Sequence, residues 1–175
     1  MTASADTHAA DAPQLGQGPL SAEALRTANI NPVTGLATDY LNHFNEVIML
    51  MEMLPDMPDC VEDVLDWAPA SYPEHFEHSS FKDRDLAILA YEVAPRAVRA
   101  HLLTVTLEIE TEVARAQALL QDGADEAACH AVARLATEAI KPLIAAASSA
   151  IHGQIEGEEE YQDESVQAGV DALFG

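Results

Sequence analysis

The sequence predicts an all-α protein, a helical bundle of about four main helices with a disordered N-terminus and an acidic C-terminal tail. Apolar residues recur at spacings of three and four over long stretches, which is the period of a helix that buries one face. No stretch alternates between apolar and polar residues in the manner of a half-buried β-strand. At 175 residues, the chain has the length of one ordinary domain with tails.

The composition divides the chain into four segments. Residues 1–30 contain few large apolar side chains, so we expect them to be disordered, because they bury too little surface to offset the entropy of ordering. Residues 31–153 form the helical bundle. Residues 154–164 are an acidic linker, and residues 165–175 are a short amphipathic peptide that binds a partner.

Breaker residues set the bounds of the predicted helices. Asn31 and Pro32 mark a turn before the first helix, and Pro142 is expected to bend the last one. A run of small residues at 145–150 permits close helix–helix approach. The predicted elements are helices over 34–54, 59–67, 82–93, 95–121 and 125–152, and a loop over 68–81.

The first helix has an unusual polar side. Its members share one surface opposite the core stripe and combine acids, an amide, an imidazole and two methionines: Asp39, Asn42, His43, Glu46, Met49 and Met53. Outward methionines indicate that a second helix, a second subunit or a partner protein covers this side. The alternative is an ordinary face covered by the rest of the bundle.

Charge restricts the classes of partner. Eight basic and thirty acidic side chains give a formal net charge of −22, which disfavours nucleic acid and anionic membranes and suits a basic protein surface. There is no secretory leader pattern and no apolar stretch of membrane-spanning length, so a cytoplasmic location is expected. Cys60 and Cys129 are expected to be free thiols in that compartment.

Metal and cofactor chemistry find little support in the sequence. No histidine follows a glutamate at the spacing that di-iron bundles use, and the pair His75 and His78 lacks an obvious third ligand. No nucleophile elbow, Walker-type phosphate loop or dinucleotide fingerprint is present. We therefore predict neither a metal site nor a cofactor.

The last eleven residues carry a recognisable pattern. Val166, Val170, Leu173 and Phe174 recur on one helical stripe. The run from residue 167 to residue 174 resembles the CheY-binding peptides of the FliM and CheZ type. This resemblance implies that the apolar side chains are anchors and Asp171 is a polar contact. Gly169 departs from the pattern, because that family carries an acid there.

The plan of bundle, linker and peptide resembles the chemotaxis phosphatase CheZ, although the Asp-x-x-x-Gln motif is missing from the bundle. The resemblance implies a two-component signalling protein that binds a CheY-like receiver, with Mg²⁺ entering only through the receiver. Asp39 and Asn42 match the acid-x-x-Asn spacing of a second family of receiver phosphatases. On this hypothesis Asn42 orients the attacking water, and Asp39 or Glu46 grips the receiver.

Two alternatives remain open at this stage. His43 could accept a phosphoryl group in a histidine phosphotransfer bundle, although Asp39 and Glu46 oppose this electrostatically. The chain could also be a non-catalytic helical adaptor. The outward methionines and the small-residue helix further suggest a homodimer.

Overall fold

The computed structural model describes residues 12–154, and residues 1–11 and 155–175 lie outside the part that it describes. Over residues 12–154 the chain is helical without a β-strand, which confirms the all-α prediction. The α-helices are α1 (Ala22–Thr27), α2 (Asn42–Met53), α3 (Val61–Asp66), α4 (Tyr72–His78), α5 (Arg84–Val93), α6 (Arg96–Gln121), α7 (Glu126–Leu135) and α8 (Lys141–Ile151). Shorter 3₁₀ helices cover Gly18–Leu20, Thr38–Leu41 and Pro58–Cys60, and a π-helical turn covers Ala136–Ile140.

The longest helix, α6, forms the spine of the bundle. It packs along α8 and also contacts α7 and α3, while α2 packs on α3 and α7. Three small residues of α8, namely Ala146, Ala147 and Ala150, are buried. Their small size lets the backbones of α6 and α8 approach closely, so the small-residue run is explained within one chain.

The disorder predicted for residues 1–30 is wrong for residues 12–30. Leu20 and Leu25 are fully buried and Ile30 is nearly so. Ser21 caps α1, because its Oγ accepts the N–H of Ala24 at 3.2 Å. A few large apolar residues suffice to order this segment, because the rest of the bundle supplies the surface that covers them. Composition within a local window does not reveal such long-range burial.

The first long helix begins later than the predicted range of 34–54. An Asx turn at Asn31, whose side-chain oxygen accepts backbone N–H groups two and three residues later at 2.9 and 3.0 Å, holds the chain in a turn. Gly35 then adopts a left-handed φ of 73°. The chain becomes helical only at the 3₁₀ helix Thr38–Leu41, and α2 starts at Asn42.

The loop predicted over 68–81 contains a helix, α4. A capping box starts it, in which the Ser71 Oγ accepts the Glu74 N–H at 3.3 Å and the Ser71 N–H donates to the Glu74 carboxylate at 3.4 Å. Tyr72 and Phe76 bury one side of this helix. The Ser-x-x-Glu spacing favours the start of a helix, whereas the flanking prolines and serines favour a loop. The loop prediction was therefore wrong for residues 72–78.

The irregularity predicted at Pro142 takes the form of a π-helical turn over Ala136–Ile140. The N–H of Lys141 donates to the carbonyl of Ala136, five residues earlier. Pro142 has no N–H, so the normal i→i−4 bond is missing at this point and the wider turn accommodates the proline ring.

The two ends of the bundle meet at Thr34. This buried hydroxyl donates to the carbonyl of Ile151 at 2.6 Å, which joins the segment before α2 to the end of α8. Gly153 ends the helix with a left-handed φ of 83°. Among the residues that the structure describes, no helix is long and apolar enough to cross a membrane.

Candidate functional site

Helices α2 and α3 line an open groove of about 640 Å³, which we call the methionine groove. Two exposed methionines lie in it, Met49 with 61% and Met53 with 36% of its surface accessible, which confirms their predicted outward orientation. Four of the predicted site residues come together here. In the part of the chain that the structure describes, the lining consists of Asn42, Asn45, Glu46, Met49, Leu50, Met53, Asp63, Asp66 and Trp67.

The period of α2 explains why these residues share a surface. Asn42, Glu46, Met49 and Met53 are spaced by four, three and four residues, so they form one stripe along the helix. The opposite stripe is fully or almost fully buried and consists of Phe44, Val47, Ile48 and Met51. The core therefore fixes the rotation of α2 and turns the amide, the acid and the methionines toward the groove.

The side chain of Asn42 is anchored at one end of the groove. Its Nδ2 donates to Oδ1 of Asp39 at 3.1 Å, and Oδ2 of Asp39 lies 3.0 Å from Nε2 of His75. Because an ionised carboxylate only accepts hydrogen bonds, the amide nitrogen of Asn42 must face Asp39. This orientation turns the amide oxygen of Asn42 away from Asp39.

The two predicted acids therefore differ. Asp39 is engaged by Asn42 and His75, so its carboxylate holds part of the protein in place. Glu46 is exposed, lines the groove and lies one helical turn after Asn42. Of the two, Glu46 is the carboxylate that a bound partner can reach without breaking an internal contact.

His43 is half-buried and contacts Trp67 without lining the groove. Its Nε2 accepts the backbone N–H of Ala70 at 3.0 Å, and its ring stacks on the indole of Trp67 with centroids 4.8 Å apart. Burial, with a smaller contribution from His75, lowers the pKa of His43 below its ordinary value. The nitrogen lone pair is already used, and this geometry argues against His43 as a phosphoryl acceptor.

Aromatic residues behind His43 form a hydrogen-bonded cluster. Tyr40 donates its hydroxyl to the Ala70 carbonyl at 3.0 Å, and Tyr72 accepts the Ala37 N–H at 2.8 Å. Burial raises the pKa of both phenols, so each keeps its proton. We call this group the aromatic cluster, and it consists of Tyr40, His43, Tyr72, His75 and Phe76.

A glutamine of α6 holds the second wall of the groove. Nε2 of Gln117 donates to the carbonyls of Val64 and Trp67, both at 2.9 Å. Trp67 is held in addition through its Nε1, which donates to the carbonyl of His43 at 3.1 Å. These bonds fix the end of α3, so the groove is bounded by a positioned helix rather than by a loose turn.

The two histidines considered as metal ligands have other contacts. His75 bonds to Asp39, and Nδ1 of His78 lies 2.9 Å from the carbonyl of Glu74. Within residues 12–154, no group of three or more His, Cys, Asp or Glu side chains is arranged to hold a metal ion. Cys60 and Cys129 are buried free thiols, as predicted.

Sequence reasoning missed five residues of the groove, namely Asn45 and Leu50 of α2 together with Asp63, Asp66 and Trp67. The sequence predicts a helix over 59–67, but nothing local shows that the acids of this helix face α2. The predicted peptide residues lie outside the described part of the chain and stay predictions: Val166, Val170, Asp171, Leu173 and Phe174.

Compared with known proteins, the chain matches no family model, no curated sequence and no solved structure at a significant level.

Proposed function

We propose that this chain is a two-component signalling protein that binds a CheY-like receiver through residues 165–175 and stimulates loss of the receiver's phosphoryl group. The observation that supports the catalytic half is the anchored amide of Asn42. Asp39 and His75 hold this side chain in one orientation at the mouth of an open groove. An amide that is already oriented can position a water molecule without a further entropy cost.

The chemistry required of such a helper is modest. Water attacks the phosphorus of the receiver's phospho-aspartate, and inorganic phosphate and the free carboxylate are released. Most phosphoryl-transfer catalysis consists of positioning and electrostatic stabilisation, and the receiver contributes the Mg²⁺ and the leaving carboxylate. Asn42 would accept a hydrogen bond from the attacking water through its amide oxygen, and Glu46 would pair with a cationic side chain of the receiver.

The tail supplies the second half of the proposal. The acidic linker, residues 154–164, tethers the bundle to residues 165–175, so the contact between bundle and receiver becomes effectively intramolecular once those residues are bound. A weak surface near Asn42 can then act on the captured receiver.

The test uses the CheY-like receivers encoded in the same genome, phosphorylated with acetyl phosphate. Release of inorganic phosphate is measured with the full chain, with Asn42→Ala and with Asn45→Ala. Asn45 is a matched control, because it lies in the same groove three residues later and is not anchored by Asp39. We expect Asn42→Ala to reduce the acceleration at least tenfold and Asn45→Ala to leave it unchanged.

Binding is measured separately by calorimetric titration of the full chain and of a chain ending at residue 164. Loss of affinity on truncation supports the tail as the receiver-binding element. Equal affinity of both chains, or no binding to any receiver, would overturn the proposal. Binding together with equal phosphate release by wild type and Asn42→Ala would leave a non-catalytic adaptor, and the phosphatase half would be wrong.

A further inference from the structure

The floor of the methionine groove is apolar and adaptable. Met49 and Met53 are exposed, and Leu50 and Trp67 line the groove beside them. Methionine has an unbranched, polarisable side chain that repacks against differently shaped apolar partners. The buried Met51 of the same helix provides a contrast, because it is fully enclosed by the core.

The rim of the groove is acidic. Glu46 stands on α2, and Asp63 and Asp66 stand on α3, so carboxylates flank the apolar floor on both sides. Within residues 12–154, no Lys, Arg or His side chain lines the groove. An occupant therefore needs an apolar stripe for the methionines and basic side chains for both rims.

Charge disfavours the C-terminal segment of this chain as the occupant. Residues 155–175 contain seven acidic side chains and no basic one, so the groove repels the chain's own tail. A second copy offers nothing better, since its arginine-rich helix α6 carries as many acidic as basic side chains. The occupant must come from another protein.

We propose that the methionine groove binds a basic amphipathic helix of a partner protein. The stripe from Asn42 to Met53 is about 16 Å long at 1.5 Å per residue, which matches about three turns of a bound helix. Its apolar face lies on Met49, Met53 and Trp67, and its Lys or Arg residues pair with Asp63, Asp66 and Glu46. This inference goes beyond receiver binding, because it requires neither the tail nor a phosphoryl group.

The protein contains its own reporter for the test. Trp67 is the only tryptophan in the sequence and lines the groove, so its fluorescence reports occupancy directly. The probe is an 18-residue Leu/Lys peptide designed as an amphipathic helix without tryptophan. One comparison peptide has the same composition in an order that destroys the apolar stripe, and another has Glu in place of every Lys.

We expect the Leu/Lys peptide to shift the Trp67 emission and to bind at micromolar concentration, with affinity falling as salt is added. The Glu peptide should not bind. The reordered peptide has the same charge, so it measures the general attraction of a strongly acidic protein for cations. Equal affinity for the ordered and reordered peptides would overturn the proposal.

Variants locate the site. The double substitution Met49→Ser and Met53→Ser should weaken binding at least tenfold, with little effect on the melting temperature because both side chains are exposed. Leu103→Ser and Leu107→Ser form the control, since these leucines are also exposed, at 57% and 52%, lie on α6 and do not line the groove. If both double variants weaken binding to the same extent, the peptide binds by charge alone and the groove is not its site.

A second readout does not depend on substitution. Methyl resonances of ¹³C-labelled methionine should shift for Met49 and Met53 on addition of the ordered peptide, while the buried Met51 should not. Equal shifts of all three methyl groups would indicate a general structural change and would contradict binding in the groove.

Discussion

Trp67 contacts two regions that differ in hydrogen bonding and in exposure. In the aromatic cluster, His43, Tyr40 and Tyr72 pack against other rings and are hydrogen-bonded to backbone groups. In the methionine groove, exposed thioethers and carboxylates face solvent. The first region is held in one arrangement by directional bonds, and the second can repack around a ligand. The same indole thus belongs both to a region built for stability and to a surface suited to binding.

The largest expected effect on stability comes from removing the indole of Trp67. Trp67→Ala should lower the free energy of unfolding by about 3 kcal/mol, because it deletes a stacked ring and the bond to the carbonyl of His43. Urea unfolding followed by circular dichroism measures this. Trp67→Phe should lose only about 1 kcal/mol, since it keeps a ring and loses the bond. A loss below about 1 kcal/mol for Trp67→Ala would mean that the indole contributes little to the stability of the fold.

A smaller effect should follow from releasing the end of α3. Gln117→Leu keeps the volume of the side chain but removes the bonds to the carbonyls of Val64 and Trp67, which should cost about 1–2 kcal/mol in urea unfolding. Gln121→Leu is the control, because Gln121 is exposed one turn later on the same helix and should change stability by less than about 0.5 kcal/mol. Equal effects of both substitutions would show that the bonds of Gln117 do not hold the groove wall.

The smallest expected effect is the change of folding stability with pH that arises from His43 in the aromatic cluster. Burial lowers the pKa of His43, so on acidification the unfolded chain takes up a proton before the folded chain does. The stability from neutral His43 is therefore present above about pH 6.5 and is lost as the pH falls through its folded pKa. Protonation also removes the acceptor for the Ala70 N–H, a bond worth about 1 kcal/mol.

Unfolding of wild type and His43→Gln between pH 7.5 and 5 measures this contribution. We expect wild type to lose stability relative to the variant as the pH falls. The comparison is needed because the general loss of negative charge affects both proteins alike. Parallel stability profiles would show that His43 does not couple folding to pH. As a control, wild type and His43→Gln should bind the basic peptide equally well at neutral pH, because His43 does not line the groove.

The elements that could be predicted are those whose signal is local. The buried stripe of α2 follows from its apolar period, and the same period places Met49 and Met53 outward. The length of α6 follows from the apolar period together with the breaker residues at its two ends. The contact of Asp39 with His75 could not be foreseen, because it joins residues 36 positions apart through the packing of α4 beside the start of α2. Burial of Leu20 and Leu25 was missed for the same reason, since distant helices supply the surface that covers them.

The hydroxyl of Thr34 has a mechanical consequence. It holds the carbonyl of Ile151 at the last turn of α8, three residues before the described chain ends at Gln154. A pulling force applied through the residues that follow acts first on this hydrogen bond and on the packing of α8 against α6. Because Thr34 lies in the segment that leads into α2, the end of α8 is mechanically coupled to the helix that forms one wall of the methionine groove.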